Sequence, residues 1–268
     1  MQKVTSAMNM ISSIKLRRYL AFQNTVNKFL DNTEKICRQI AFNLEGSSHP
    51  AVRGYKETKK VHIIVFTADK GLCGTHSTSV LQAAGEFLAE LKSKGMSAEF
   101  TCMGIKAMNW ARRENLEVFR KQEMNDRILT GEILRSISDD VYERFLSGTV
   151  QQVVVFGKMF RSTLQQDTKQ IIVLPVPAGG EGTEMQTEPS GDQLAEAWGR
   201  IYLNDILRAY MLHSFLSEHS ARLTAMENAT KNSEDLIGKY VTMQNRARQA
   251  AITNELIEIV SGKEALKG

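Results

Sequence analysis

Apolar positions at the start of the chain repeat at helical spacing. Residues 1–45 contain neither Gly nor Pro, and as one helix they would extend roughly 65 Å. Intervals of three and four residues separate their apolar positions, which predicts a packed helical stripe. The stripe consists of Phe22, Val26, Phe29, Ile36, Ile40 and Leu44. We therefore expect an N-terminal coiled-coil helix over residues 1–45.

The end of the chain shows the same periodicity over a longer stretch. Residues 193–261 contain no Pro and only two Gly, and Ser190 and Gln193 have the spacing of a capping box. One four–three heptad register holds Leu212, Leu216, Leu223, Met226, Thr230, Ser233, Ile237, Tyr240, Gln244, Ala247 and Ala251. A helix this long is typical of a coiled coil, so we expect residues 193–261 to pair antiparallel with the N-terminal helix.

The middle of the chain alternates between two patterns. Short apolar, β-branched runs at residues 61–68, 150–156 and 170–176 predict strands, and segments 78–94, 105–114 and 131–146 predict helices. This alternation predicts an inserted, Rossmann-like α/β domain with a mainly parallel sheet over residues 60–177. The polar, Gly-rich segment 177–192 is expected to be a mobile loop that leads to the last helix.

Composition excludes several classes of protein. No apolar run approaches the roughly 18 residues of a membrane-spanning helix, and direct membrane insertion is not expected. Three cysteines, Cys37, Cys73 and Cys102, cannot form a closed disulfide framework, which indicates a reducing compartment. Residues 1–60 carry 11 Lys+Arg against 4 Asp+Glu, within a chain of net charge +4. Such a basic end fits a nucleic acid, an anionic membrane, an acidic protein or a solvated helix face, and charge alone does not choose among them.

Few motifs in the sequence carry chemistry. Nucleotide-binding, nucleophile-elbow and zinc-protease motifs are absent, and no cofactor or metal is expected. Residues 69–74 (DKGLCG) follow the first predicted strand, where ligands often bind in α/β sheets. Cys73 there is either a thiol nucleophile activated by Lys70, in an enzyme with helical oligomerisation arms, or a buried thiol in a tight turn. We favour the turn because no His–acid pair can be assigned to Cys73, and His76 adds only a second metal ligand.

Four segments together resemble the γ subunit of F-type ATP synthases. They are Val4-Thr5-Ser6-Ala7-Met8-Asn9-Met10-Ile11 with Lys15-Leu16-Arg17-Arg18, residues 67–74 (TADKGLCG), residues 221–232 (ARLTAMENATKN) and residues 245–262 (NRARQAAITNELIEIVSG). The family normally carries about 15 more residues before the first segment, roughly 20 Å of helix. Residues 75–77 (THS) depart from the family pattern of Gly, an aromatic or Leu, and Asn.

The resemblance implies a non-catalytic rotor rather than an enzyme. The paired helices would turn inside a ring of α and β subunits in a proton-translocating ATP synthase. The α/β domain would meet an ε-type subunit and the membrane c-ring, with no nucleic acid bound. The complex would lie on the inner face of an energy-coupling membrane, in bacteria the cytoplasmic side of the plasma membrane. Matching positions imply an interface and coupling set of Met8, Lys15, Arg17, Lys70, Gly71, Leu72, Cys73, Gly74, Arg246, Gln249, Thr253 and Glu255.

Overall fold

Two long helices enclose the rest of the chain. The computed structural model describes residues 2–44, 47–125, 131–176, 188 and 191–265. The first helix, α1 (Gln2–Asn43), has 42 residues, and the last, α6 (Gly191–Ala265), has 75 residues, about 110 Å at 1.5 Å per residue. Most of the predicted loop 177–192, including the capping residue Ser190, lies outside the described residues.

The two long helices run antiparallel, as predicted. Near the start of α1, the Thr230 hydroxyl donates to the Thr5 hydroxyl at 2.8 Å. Towards the other end, the Thr33 hydroxyl donates to the Asp205 carboxylate at 3.2 Å. These two contacts lie 28 residues apart on α1 and 25 residues apart on α6, so the helices stay in contact over most of α1.

The predicted stripe on α1 is wrong for half of its members. Phe22 and Phe29 are each 54% exposed and Ile36 is 47% exposed. The buried face instead carries Leu16 and Tyr19, with Val26 and Leu30 packed against the same core. The helix has two apolar faces, and the spacing of residues alone does not tell which one α6 covers.

The predicted heptad register on α6 is buried over only part of its length. Leu212, Leu216 and Met226 lie in the core. From residue 234 to residue 263 every side chain is exposed, including Ile237 at 51% and Tyr240 at 66%. The pairing therefore ends near Thr230, because the described part of α1 reaches no further along α6. We call residues 234–265 the α6 tip.

Between the long helices lies a five-stranded sheet. Its strands are β1 (Lys60–Phe66), β2 (Ser97–Met103), β3 (Val118–Gln122), β4 (Gln152–Phe160) and β5 (Gln166–Leu174). Their spatial order is β3-β2-β1-β4-β5, with parallel pairing except between β4 and β5. The remaining helices are α2 (Pro50–Arg53), α3 (His76–Ser93), α4 (Ile105–Arg113) and α5 (Glu132–Leu146). The predicted α/β fold with a mainly parallel sheet is confirmed.

Helices cover both faces of the sheet. One apolar cluster includes Leu134 on α5 and Tyr210 on α6, and a second includes Val80 on α3 and Trp110 on α4. Helix α6 lies so close to β4 that a Cβ at Gly157 would come within 2.7 Å of the Tyr210 ring. This glycine therefore lets the long helix pack directly on the sheet.

Candidate functional site: the loop against α6 and the exposed helix tip

The loop over residues 69–74 joins β1 to α3 at the carboxyl edge of the sheet. Leu72 and Gly74 take the left-handed conformation, with φ of 61° and 55°, so the chain turns sharply here. The Asp69 carboxylate accepts hydrogen bonds from the backbone N–H groups of Ile105 at 2.9 Å and Met124 at 3.1 Å. This carboxylate holds the loop to the start of α4 and to the segment after β3.

A buried arginine on α6 holds the other side of the loop. The Arg222 guanidinium donates to the carbonyl oxygen of Gly71 at 3.3 Å and to that of Lys70 at 3.4 Å. It also donates to the Glu218 carboxylate at 2.7 Å, and both side chains are less than 10% exposed. Burial raises the pKa of Glu218, while the neighbouring Arg222 opposes the rise. We call these contacts the Arg222 clamp.

Sequence reasoning missed Arg222 as a functional residue. It lies inside the motif at residues 221–232 that carries the resemblance, but an arginine on a predicted helix usually faces solvent. The informative signal was its position inside that motif.

The structure does not support a thiol enzyme. Cys73 is buried, and its thiol donates to the carbonyl oxygen of Lys70 at 3.7 Å. Burial raises the pKa of Cys73, which disfavours the thiolate. Neither ring nitrogen of His76 has a hydrogen-bond partner within the described ranges, so no Cys–His pair forms. Burial and the cations Lys158 and Arg222 lower the pKa of His76 to about 3. The described residues contain no group of three or more His, Cys, Asp or Glu side chains that could hold a metal ion.

Three of the predicted site residues surround one cleft between α1, α6 and the loop. Its volume is about 170 Å³, and its walls include Met8 and Lys15 from α1 and Lys70 from the loop, with Arg222 from α6. Arg17 instead lines a groove on another side of α1. Gly71, Leu72 and Gly74 lie in the loop itself, and Leu72 is 60% exposed.

The other predicted site residues lie far from this cleft, on the α6 tip. Arg246, Gln249, Thr253 and Glu255 are all exposed. The spacing of the first three places them on one face of the helix, and Glu255 lies on roughly the opposite face. Arg246 is 24 residues beyond Arg222, about 36 Å along the helix.

Exposed apolar side chains lie on every side of the α6 tip. Its exposed apolar side chains are Leu236, Ile237, Tyr240, Val241, Met243, Ile252, Leu256, Ile257, Ile259 and Val260, each between 46% and 66% exposed. At about 100° per residue, their positions are spread around the whole helix axis. Charged and polar residues, among them Arg246, Arg248 and Glu255, lie between these apolar positions. Exposed apolar side chains in such numbers are typical of a surface that binds a partner.

Comparison with known proteins identifies the family. The model of the ATP synthase family matches residues 1–266. The ATP synthase gamma chain of Clostridium beijerinckii is 33% identical over 267 residues, which is 98% of this chain and 93% of that one. The gamma chain of Trichlorobacter lovleyi is 34% identical over 276 residues, covering 100% of this chain and 94% of that one.

Solved structures share the fold. A chain from the central stalk and c-ring of the Tetrahymena thermophila mitochondrial ATP synthase aligns with a TM-score of 0.62 at 19% identity, covering 85% of this chain and 99% of that chain. A chain of the Euglena gracilis mitochondrial ATP synthase, solved with its OSCP, F1 and c-ring, aligns with a TM-score of 0.58 at 15% identity, covering 97% and 95%. Within the described residues, no helix is long and apolar enough to cross a membrane. The full-length match and the shared fold show that this chain belongs to the ATP synthase family, as a non-catalytic γ chain.

Proposed function

We propose that this chain is the central rotor of a proton-translocating ATP synthase. The observation that carries the proposal is the α6 tip, a single helix with apolar side chains on every side. Exposed apolar patches mark interaction sites, and a patch that surrounds a rod fits an occupant that encloses it. A ring of α and β subunits around the tip meets that requirement. If the ring makes no single deep contact with the apolar side chains of the tip, the helix also remains free to rotate inside it.

Two groups of residues would present different sides of the rotor to the catalytic subunits. Arg246, Gln249 and Thr253 share one face of the tip, and Glu255 lies on the opposite face. Rotation of the tip would therefore bring a positive and then a negative side chain to the same catalytic subunit. Lower down, Met8, Lys15 and Lys70 border the cleft beside the loop. We propose that these positions, with Arg17 and residues 71–74, form the coupling surface. The basic residues of α1 would attract acidic loops, and salt would screen that attraction.

The lower part of the molecule offers a second surface. Phe22, Phe29 and Ile36 recur every seven residues along α1, and all three are about half exposed. They lie on the part of α1 that is level with the sheet, away from the α6 tip. We propose that an ε-type subunit and the membrane c-ring cover this region. The complex would then lie peripherally on the inner face of an energy-coupling membrane, in bacteria the cytoplasmic side of the plasma membrane.

Reconstitution tests the proposal. The isolated chain should hydrolyse no ATP, whereas mixing it with α and β subunits should complete an active ATPase. A Leu256→Pro variant should assemble poorly because proline breaks the helix inside the proposed ring. The matched variant Leu256→Ala keeps the helix and should assemble more fully. Equal hydrolysis rates with and without the chain would refute the rotor function, and normal assembly of Leu256→Pro would refute a continuous rod in the ring.

A further inference from the structure

A buried histidine lies where the helix pair meets the sheet. His213, on α6, is 3% exposed. Its Nδ1 accepts a hydrogen bond from the backbone N–H of Phe160, at the end of β4, at 3.3 Å. Its Nε2 lies 3.1 Å from the side-chain oxygen of Asn27 on α1. The His213 side chain therefore joins α6 to both α1 and β4.

The contacts determine the protonation state of this ring. A backbone N–H only donates, so Nδ1 must be the unprotonated nitrogen. The proton of the neutral ring then sits on Nε2 and is donated to the Asn27 oxygen. A second proton could bind only at Nδ1, where it would oppose the N–H of Phe160. Protonation therefore breaks the contact with the sheet.

We propose that His213 is a positioning residue: its neutral ring fixes the end of β4 against the α1–α6 pair, and protonation of the ring breaks the hydrogen bond from Phe160. Its role in transmitting torque rests on the proposed rotor function. The contact itself does not, because it is a property of the folded chain.

The surroundings of His213 favour the neutral ring. Burial lowers its pKa to about 4, and no charged side chain contributes to the shift. The charged residues near His213 on α1, β4 and α6 are exposed to solvent or bonded to other groups. On α1 Lys28 is exposed, and at the end of β4 Lys158 donates to the carbonyl oxygen of Gln166 and Arg161 pairs with Asp167. On α6, Arg208 donates to Asn204 and Glu218 pairs with Arg222.

The contribution of His213 to the stability of the fold depends on pH. A histidine in an unfolded chain has a pKa near 6.5, above the folded value of about 4. Between these values the unfolded chain binds more protons than the folded chain, so stability falls as the pH falls. The contribution of His213 is complete above about pH 6.5 and is lost as the pH drops towards 4.

Two substitutions in the full chain separate hydrogen bonding from titration. His213→Gln keeps an acceptor for Phe160 and a donor for Asn27 but does not titrate in this range. His213→Leu keeps apolar bulk and loses both hydrogen bonds. His49→Gln is the matched control. Burial also lowers the pKa of His49 and its Nδ1 also accepts a hydrogen bond from a backbone N–H, but it lies at the start of α2.

Amide hydrogen exchange at Phe160, followed between pH 4 and pH 7.5 with the intrinsic rate divided out, is the readout. We expect His213→Leu to increase exchange about tenfold at pH 7.5, the effect of one lost net hydrogen bond. His213→Gln should keep the Phe160 amide protected from exchange and should remove most of the decrease in protection at low pH. His49→Gln should behave as the unchanged chain. If His213→Leu leaves exchange unchanged, or if His213→Gln loses protection at low pH as the unchanged chain does, the proposed contact is refuted while the rotor function stands.

The assembled ATP synthase tests the torque role separately. Ions pumped per ATP hydrolysed should fall several-fold with His213→Leu and recover with His213→Gln. An unchanged ratio in His213→Leu would refute transmission through this residue, even if the exchange experiment succeeds.

Discussion

At the scale of single residues, the most heavily buried carboxylate in the described ranges is part of a charged cluster in the sheet. Glu99 on β2 is only 1% exposed at its side chain, and its oxygens lie 2.8 Å from His62 Nδ1, 2.6 Å from the Arg144 guanidinium and 3.0 Å from the Lys60 ammonium. Burial alone would raise the pKa of Glu99. The hydrogen bonds from its three partners outweigh burial and hold the pKa well below its usual range.

This cluster makes Glu99 a sensitive position. Glu99→Gln keeps the shape but leaves the charges of Lys60 and Arg144 without their buried partner, which should lower the free energy of unfolding by about 3 kcal/mol. Glu117→Gln is the matched control, because Glu117 also pairs with Lys60 but is 60% exposed, and its cost should stay below about 1 kcal/mol. Urea unfolding of both variants measures the difference. Equal costs would contradict the role assigned to the buried carboxylate.

At the scale of elements, the Arg222 clamp joins a loop to a helix 151 residues away in sequence. Carbonyl oxygens of Lys70 and Gly71 accept from a guanidinium whose charge is balanced by Glu218. Hydrogen bonds from a buried arginine therefore hold the loop to the long helix, so movement of α6 should move the loop with it.

Cys73 offers a probe of this clamp, since it belongs to the loop and its side chain is buried. Arg222→Met should release the loop and increase alkylation of Cys73 several-fold, followed by mass spectrometry of its peptide. Burial raises the pKa of Cys73 and the Arg222 guanidinium opposes that rise, so removal of the guanidinium without loop opening would slow alkylation. Arg200→Met removes an equal charge from the partly exposed surface of α6 and should leave the rate unchanged. Slower or unchanged alkylation in Arg222→Met would contradict the clamp.

At the scale of the whole molecule, the chain divides into a packed body and the bare α6 tip. Most of the stability of a helix in a protein comes from tertiary packing, and the side chains of residues 235–263 are all exposed to solvent. We expect fast amide exchange over residues 234–265 in the isolated chain and strong protection in the assembled complex. Hydrogen exchange with mass spectrometry compares the two states, with α3 as an internal control that stays protected in both. A tip that exchanges equally fast in the complex would contradict enclosure by a ring.

The elements found from the sequence were those with a strong local signal. Strands β1, β4 and β5 are apolar runs, and both long helices lack internal breakers. Strand β2 was missed because Glu99 interrupts its apolar pattern, and β3 was missed because this edge strand carries Arg120 and Lys121. The loop over residues 69–74 was found from its place after the first predicted strand and from the resemblance. Arg222 was missed because its burial depends on partners that lie far away in sequence.

The sequence by itself determined the two long helices, the α/β insertion between them and the family, because periodicity and motifs are local properties of the chain. Tertiary structure alone decided which face of α1 is covered, where the pairing with α6 stops, and which polar side chains are buried. These outcomes depend on contacts between residues far apart in sequence, such as Arg222 with Gly71 and His213 with Phe160. No local pattern records such contacts, since the same spacing of apolar residues allows either face of a helix to be buried.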